Sequence, residues 1–144
     1  VTLRAFEVAD DAFGRALFLE RKRAELAGLP EALLESQYAA WRWARAGLDW
    51  RCIVDAANAP VGLLVLAWSA AELRVVELVI AAAAQRRGHA RAAMAAVLRE
   101  ATGRVSLAVE ANGPAHALYR SLGFVEVSAE GSTLQLRRQP KTAS

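Results

Sequence analysis

An apolar strand that runs into a basic, glycine-bearing turn and then an alanine-rich helix leaves a chain few folds to choose from. The stretch Leu78-Val79-Ile80-Ala81-Ala82-Ala83-Ala84-Gln85-Arg86-Arg87-Gly88-His89-Ala90-Arg91 has that pattern. The first N–H groups of a helix lack intrahelical partners, and the macrodipole places about half a positive charge there. An anion that can come close is therefore stabilised at such a turn. Gly88 and Ala90 are small enough to permit the approach, while Gln85, Arg86 and Arg87 add a polar side chain and two permanent cations. A pyrophosphate suits these residues. An ordinary strand-to-helix loop with a solvated basic face would also carry them.

The chain around this segment reads as one globular domain. Its 144 residues can bury roughly two thirds of the unfolded surface in a single core. We assign residues 1–138 to that domain and expect 139–144 to be a disordered tail. The net charge of +3 is small, and the basic residues are scattered rather than gathered into a stripe, which argues against nucleic acid as a partner. A nucleic-acid-binding domain would show strongly salt-dependent binding to DNA or RNA. Cys52 is the single cysteine and reads as a buried strand thiol, which fits a reducing cytoplasm. The longest uncharged apolar run, Ala59 to Ala71, is broken by Pro60, Gly62 and Ser69 and falls short of the ~20 residues that span a bilayer. No secretory signal is expected at the start, and His89, His116 and Cys52 lack the spacing of a metal site.

Periodicity and breakers give the element order. Thr2 to Glu7 alternates as an edge strand, and Asp10 offers an N-cap for a helix to about Leu26. Gly28-Leu29-Pro30 separates it from a second helix, Glu31 to about Ala46, with Gly47 as its stop. Strands follow at Trp50 to Ala56, Val61 to Trp68 and Glu72 to Ile80, the first two joined by a turn at Ala57-Asn58-Ala59-Pro60. A helix from about Arg87 to Thr102 should face the sheet with Ala90, Met94, Val97 and Leu98. Strand Val105 to Val109, helix Pro114 to Leu122, and strands Phe124 to Val127 and Thr133 to Arg138 complete the chain. This order predicts a mixed α+β fold, a three-layer α/β/α arrangement with helices on both faces of the sheet.

A second strand–turn–helix, Val109-Glu110-Ala111-Asn112-Gly113-Pro114-Ala115-His116-Ala117-Leu118-Tyr119-Arg120-Ser121-Leu122-Gly123-Phe124, lies thirty residues downstream of the first. Together the two resemble the GNAT acetyltransferase superfamily. Gln85, Gly88 and Ala90 match its pyrophosphate motif Q/R-x-x-G-x-G/A. Asn112, Ala115, Tyr119, Gly123 and Phe124 match its late helix motif N-x-x-A-x-x-x-Y-x-x-x-G-F. The motif-bearing resemblance covers roughly residues 72 to 128. It implies a mostly antiparallel, twisted sheet of about 6–7 strands with about four helices, in which the parallel strands ending near Ile80 and Val109 splay apart. It further implies an N-acetyltransferase that moves an acetyl group from acetyl-CoA to a primary amine by direct attack in a ternary complex. The runner-up is a catalytically silent acyl-CoA-binding or regulatory module of the same fold.

The resemblance also assigns roles. Leu78, Val79, Ile80, Gln85, Arg86, Arg87, Gly88, His89, Ala90, Arg91, Asn112, Ala115 and Tyr119 would contact the cofactor. A backbone N–H near Val79 or Ile80 would meet the developing oxyanion, and Tyr119 would act as general acid toward the leaving sulfur. Alone, Tyr119 would read as a core-packed tyrosine and Asn112 as a helix cap. An alkylamine with a pKa near ~10.4 must lose a proton before attack, and Glu77 and Glu110 are the candidate bases. Edge exposure or an arginine partner would equally satisfy Glu77. The chain departs from some relatives in carrying Arg74 where histone-type members have a glutamate, and Ala81 to Ala84 where a proline is common. His116 should lie at the surface.

The acceptor could be a small amine, an amino acid, an aminoglycoside or a protein N-terminus. Leu34, Tyr38 and Trp41 recur at helical spacing and read as core, and by resemblance Tyr38, Trp41 and Trp43 are candidates for shaping substrate access. Asp11, Glu20, Glu25, Glu31 and Glu35 could attract a cation, or could simply be solvated. A homodimer is compatible with the resemblance, with an exposed end strand such as Thr133 to Arg138 pairing across it.

Overall fold

The computed structural model describes residues 1–140; residues 141–144 of the expected tail lie outside the described residues. The elements are β1 (Thr2–Ala5), α1 (Asp11–Glu25), α2 (Glu31–Ala44), β2 (Asp49–Val54), β3 (Pro60–Trp68), β4 (Glu72–Ile80), α3 (His89–Glu100), β5 (Arg104–Glu110), α4 (Ala115–Ser121), β6 (Val125–Glu130) and β7 (Thr133–Arg138). The seven strands form one sheet in the order β1-β2-β3-β4-β5-β7-β6. All neighbours are antiparallel except β4 and β5.

β3 explains why the sheet needs helices on both faces. Its run Leu63-Leu64-Val65-Leu66 is 0–1% exposed throughout, and alternate side chains of a strand point to opposite faces. Leu64 and Leu66 join Met94 and Val97 of α3 and Tyr119 of α4 in the larger core. Leu63 and Val65 pack with Leu17 of α1 and Trp41 of α2 on the other side. Each such buried Leu or Val contributes about 1.5–3 kcal/mol. Of the α3 residues expected to face the sheet, Met94 and Val97 are fully buried, joined by Ala93; Ala90 and Leu98 are half-buried. Cys52 is fully buried. At Gly62 an added Cβ would stand 2.6 Å from the Val79 carbonyl oxygen, so the β3–β4 approach requires glycine there.

Two expectations are corrected. β7, Thr133 to Arg138, is not an end strand, because it pairs with β5 on one side and β6 on the other. Leu134 and Leu136 of β7 are buried in the main core, whereas all six residues of β6 are exposed. The strand with the apolar alternation takes the interior place, and β6 is left at the edge. Asp10 precedes α1 but makes no side-chain cap. Its carboxylate instead accepts two hydrogen bonds from the Arg4 guanidinium at 2.7 and 2.8 Å, and one from the Glu7 N–H. That bidentate pair fastens β1 to the start of α1.

Among the described residues no helix is long and apolar enough to cross a membrane.

The Arg4 guanidinium, helped by the Glu7 N–H, lowers the Asp10 carboxyl to about 2. A depressed carboxyl contributes stability that is full above its unfolded pKa, ~3.9, and is lost as pH falls through the folded value. Asp10→Asn is therefore expected to lower the melting temperature at pH 7, with the gap to wild type closing between about pH 4 and pH 2. Melting curves across that range check it.

Candidate active site

β4 and β5 pair only from Glu72 to Arg74 and from Arg104 to Ser106. The cause of their parting lies in β4. Val65 of β3 faces Glu77 and Leu66 faces Val75, so Val76 is an extra residue. A bulge of this kind bends its strand and increases the local twist, and here it carries the end of β4 away from β5. The opening is a slot of about 340 Å³ lined by Arg21, Val75, Val76, Glu77, Leu78, Leu107, Ala108, Val109, Glu110, Gly113, Ala115 and Tyr119. Leu107 and Ala108 are neighbours on β5 and face opposite sides of the sheet, so the slot passes through it.

Past β4, a short turn at Ala82–Ala84 leads to α3. Arg86 and Gly88 both have left-handed backbones, at φ +65° and +81°. Turns of this type gather successive N–H groups into an anion-binding concavity. No side chain caps α3, and its first backbone bond is donated by Ala92 to Gly88, so the N–H groups of His89, Ala90 and Arg91 have no intrahelical partner. An added Cβ on Gly88 would meet nothing within 4 Å; the space before these amides is open. Arg86 and Arg87 are exposed, and neither has a carboxylate partner among the described residues.

This turn borders a groove of about 480 Å³ lined by Leu78, Ile80, Ala84, Gln85, Arg86, Gly88, His89, Ala90, Arg91, Pro114, Ala115, Leu118 and Tyr119. Leu78, Ala115 and Tyr119 line both groove and slot. The two spaces thus meet at Tyr119. Of the residues read as cofactor contacts, Val79, Arg87 and Asn112 do not line the groove. Gln85 is turned back toward the strand, its Nε2 donating to the Ile80 carbonyl at 3.2 Å. Asn112 is exposed and does not cap α4.

The Ala81 N–H donates to the Val61 carbonyl. The alternation of an antiparallel ladder then turns the Val79 N–H toward β3 and leaves those of Leu78 and Ile80 on the β5 side. Of the two donors named from the sequence, Ile80 is the one whose N–H faces the opening.

Tyr119 is 5% exposed and stands edge-on to Phe124, ring centroids 5.6 Å apart. Burial pushes its phenol up to about 12, so it stays protonated at neutral pH. Its hydroxyl has no hydrogen-bond partner among the described residues.

The two carboxylates differ. Glu77 accepts from Trp41 Nε1 at 3.0 Å and Arg21 at 3.2 Å and pairs with Arg45 at 2.8 Å. Glu110 accepts from the hydroxyls of Ser132 at 2.8 Å and Thr133 at 3.3 Å and has no cation beside it among the described residues. Trp41 and Tyr38 sit in an aromatic cluster with Phe18. Trp43 is 84% exposed and lines a separate surface cleft with Phe6 and Arg42. His116 is half-buried and lines neither the groove nor the slot. Pro114, Leu118 and Arg21 were missed in the sequence. Leu118 could have been found one turn beyond Ala115, whereas Arg21 meets Glu77 across fifty-six residues and leaves no local signal. Among the described residues no cluster of His, Cys, Asp and Glu could hold a metal ion.

Residues 16–124 match the family model described as the acetyltransferase (GNAT) family. The chain belongs to the GNAT acetyltransferase family. No curated protein matches the sequence. Solved structures with the same fold include an acetyltransferase from Thermus thermophilus, with TM-score 0.73, 22% identity, and coverage of 96% of this chain and 97% of that one. A spermidine N-acetyltransferase from Vibrio cholerae, in complex with CoA and spermine, gives TM-score 0.72, 22% identity, and 96% and 95% coverage. The PaiA N-acetyltransferase of Thermoplasma acidophilum, in complex with coenzyme A, gives 0.68, 12%, and 96% and 98%. The GNAT fold expected from the motifs, with its parted parallel strands and four helices, is the fold observed.

Glu77→Gln would leave Arg21 and Arg45 facing each other without the carboxylate that joins them. Breaking a buried ion pair from one side costs about 3–5 kcal/mol, less where the partners reach water. Arg21 and Arg45 are 32% and 23% exposed, so a loss of about 2 kcal/mol in urea unfolding is expected.

Proposed function

We propose that this GNAT protein transfers an acetyl group from acetyl-CoA to a primary amine, both substrates being bound at once. The carrying observation is the meeting of groove and slot at one buried, protonated tyrosine. Acetyl-CoA supplies an acetyl group activated as a thioester. The open N–H groups of His89, Ala90 and Arg91, with the left-handed turn at Arg86–Gly88, suit the pyrophosphate, and Arg86 and Arg87 add neutralising charge. Beyond them the Leu78 and Ile80 N–H groups, turned toward the opening, suit the carbonyl oxygen. Tyr119 holds its proton for the departing sulfur.

The acceptor enters the slot from the opposite face of the sheet. Its amine must lose a proton, and Glu110 is the better acceptor of the two candidates because no cation among the described residues competes for its lone pairs. Glu77 acts through others: it holds Arg21 at the slot wall and accepts from Trp41 behind it. The engagement of both carboxylates by protein donors favours a second reading, an acyl-CoA-binding module without turnover. The buried lone thiol Cys52 suits a reducing compartment such as the cytoplasm. A single domain over residues 1–138 accommodates every part of the site.

The reading is tested by thiol release from acetyl-CoA against a panel of amines; turnover with any of them supports transfer, and cofactor binding with none favours the silent module. Tyr119→Phe is expected to leave CoA affinity nearly unchanged while lowering turnover about 100-fold, the scale of a lost general acid. Unchanged turnover would remove Tyr119 from the role. Absorbance titration should find both tyrosines, Tyr38 and Tyr119, ionising only near pH 12, with half of that amplitude gone in the variant.

A further inference from the structure

We propose that the acceptor is an amine that also carries an oxyanion group, a carboxylate or a phosphate, held on an arginine-lined part of the open sheet face beside the slot. The inference rests on the acetyltransferase reading above.

Strand register sets the arginines abreast. Arg74 of β4 faces Ser106 of β5, which faces Arg137 of β7. Arg104 lies two residues before Ser106, and so on the same face. The opposite side chains, Leu73, Val75, Val105, Leu107 and Leu136, fill the core under α3 and α4. On the arginine side, α1 and α2 pack against β2, β3 and the far part of β4, while Ala108 of β5 and Val125 and Ser128 of β6 remain exposed. The slot opens onto this face between Arg74, where the strands still pair, and Glu110.

Among the described residues these guanidiniums lack acidic partners. Arg74 donates only to neutral oxygens, Ser106 Oγ at 3.3 Å and Gln135 Oε1 at 3.0 Å. The Nε atoms of Arg104 and Arg137 are buried with no acceptor, as is that of Arg21 at the slot wall. Arg21 is also a second cation for one carboxylate, since Arg45 already pairs Glu77 at 2.8 Å. Nearby acids do not restore the balance. Glu72 is the strand partner of Arg104 but forms no ion pair with it among the described residues. Glu110 is turned to Ser132 and Thr133.

The acids of α1 and α2 that could draw a cationic acceptor are engaged as well. Asp11 accepts from Tyr38 and pairs Arg42; Glu20 accepts from the Ala82 N–H; Glu25, Glu31 and Glu35 pair Lys22, Arg23 and Arg15. Planar guanidiniums with unfilled donors match carboxylate and phosphate oxygens and repel a polyamine.

The test measures acetyl-CoA-dependent thiol release with matched amines: 4-aminobutyrate against 4-aminobutanamide, phosphoethanolamine against ethanolamine, and spermidine beside them. The oxyanion member of one pair is expected to be favoured at least tenfold in kcat/KM, and the pair that responds distinguishes carboxylate from phosphate. Arg137→Gln and, separately, Arg104→Gln should raise the KM of that member at least fivefold and leave its neutral partner unchanged. Neither should lower the melting temperature, because each relieves repulsion among guanidiniums. Preference for spermidine or the neutral members, or a preference intact in both variants, overturns the proposal. If no amine turns over, the CoA-saturated protein is titrated with inorganic phosphate and with glutarate. Saturable binding lost in Arg137→Gln supports the proposal and absence of binding overturns it; the acetyl-CoA titration of the same protein shows separately whether the parent reading stands.

Discussion

One extra residue, Val76 in β4, is the constraint on which the site depends. Without it β4 would stay hydrogen-bonded to β5 along its length, and the Leu78 and Ile80 N–H groups would be spent on the sheet. With it, pairing stops at Arg74 and Ser106, and a hole opens through a sheet whose other strands remain close-paired. The cost is a row of backbone groups without strand partners. They are tolerable because the slot is open to water, and they become useful when a polar ligand takes that place.

The hole divides the labour between the two faces. On one side the uncapped start of α3 and the left-handed turn before it offer backbone donors and unpaired arginine charge. On the other, the strand register gathers Arg74, Arg104 and Arg137, none of which forms an ion pair among the described residues. Tyr119 stands where the spaces join, deep enough in the core to keep its proton. The fold thus sets two arginine-bearing surfaces on either side of a buried tyrosine.

How much of this was legible in the sequence follows from the range of the interactions. The turn at Gln85–Arg91 and the helix carrying Tyr119 are local patterns, since a helix N-terminus and the glycine before it are contiguous in the chain. The apolar run of β3 and the helical spacing of Met94 and Val97 likewise pointed to their burial. What escaped depends on pairing across long separations. The bulge at Val76 is a register relation with β3, and no residue type announces it. β7 takes its interior place because it pairs with β5 across α4 and β6. Glu77 reads as an isolated charge in an apolar strand until Trp41, Arg45 and Arg21 come from two helices and the loop after them to bond it. Arg74, a departure from relatives in the sequence, gains meaning when Arg137 joins it on the same sheet face, one strand away across Ser106.

The account is tested most directly by calorimetric titration of acetyl-CoA into the wild-type protein and into Gly88→Val. A valine is poorly suited to φ +81° and would project into the space before the α3 amides. Saturable binding to the wild type, weakened at least tenfold in the variant while its melting curve remains cooperative, is the predicted result. No binding to the wild type, or equal affinity in both proteins, would contradict the claim that the turn before α3 holds the cofactor.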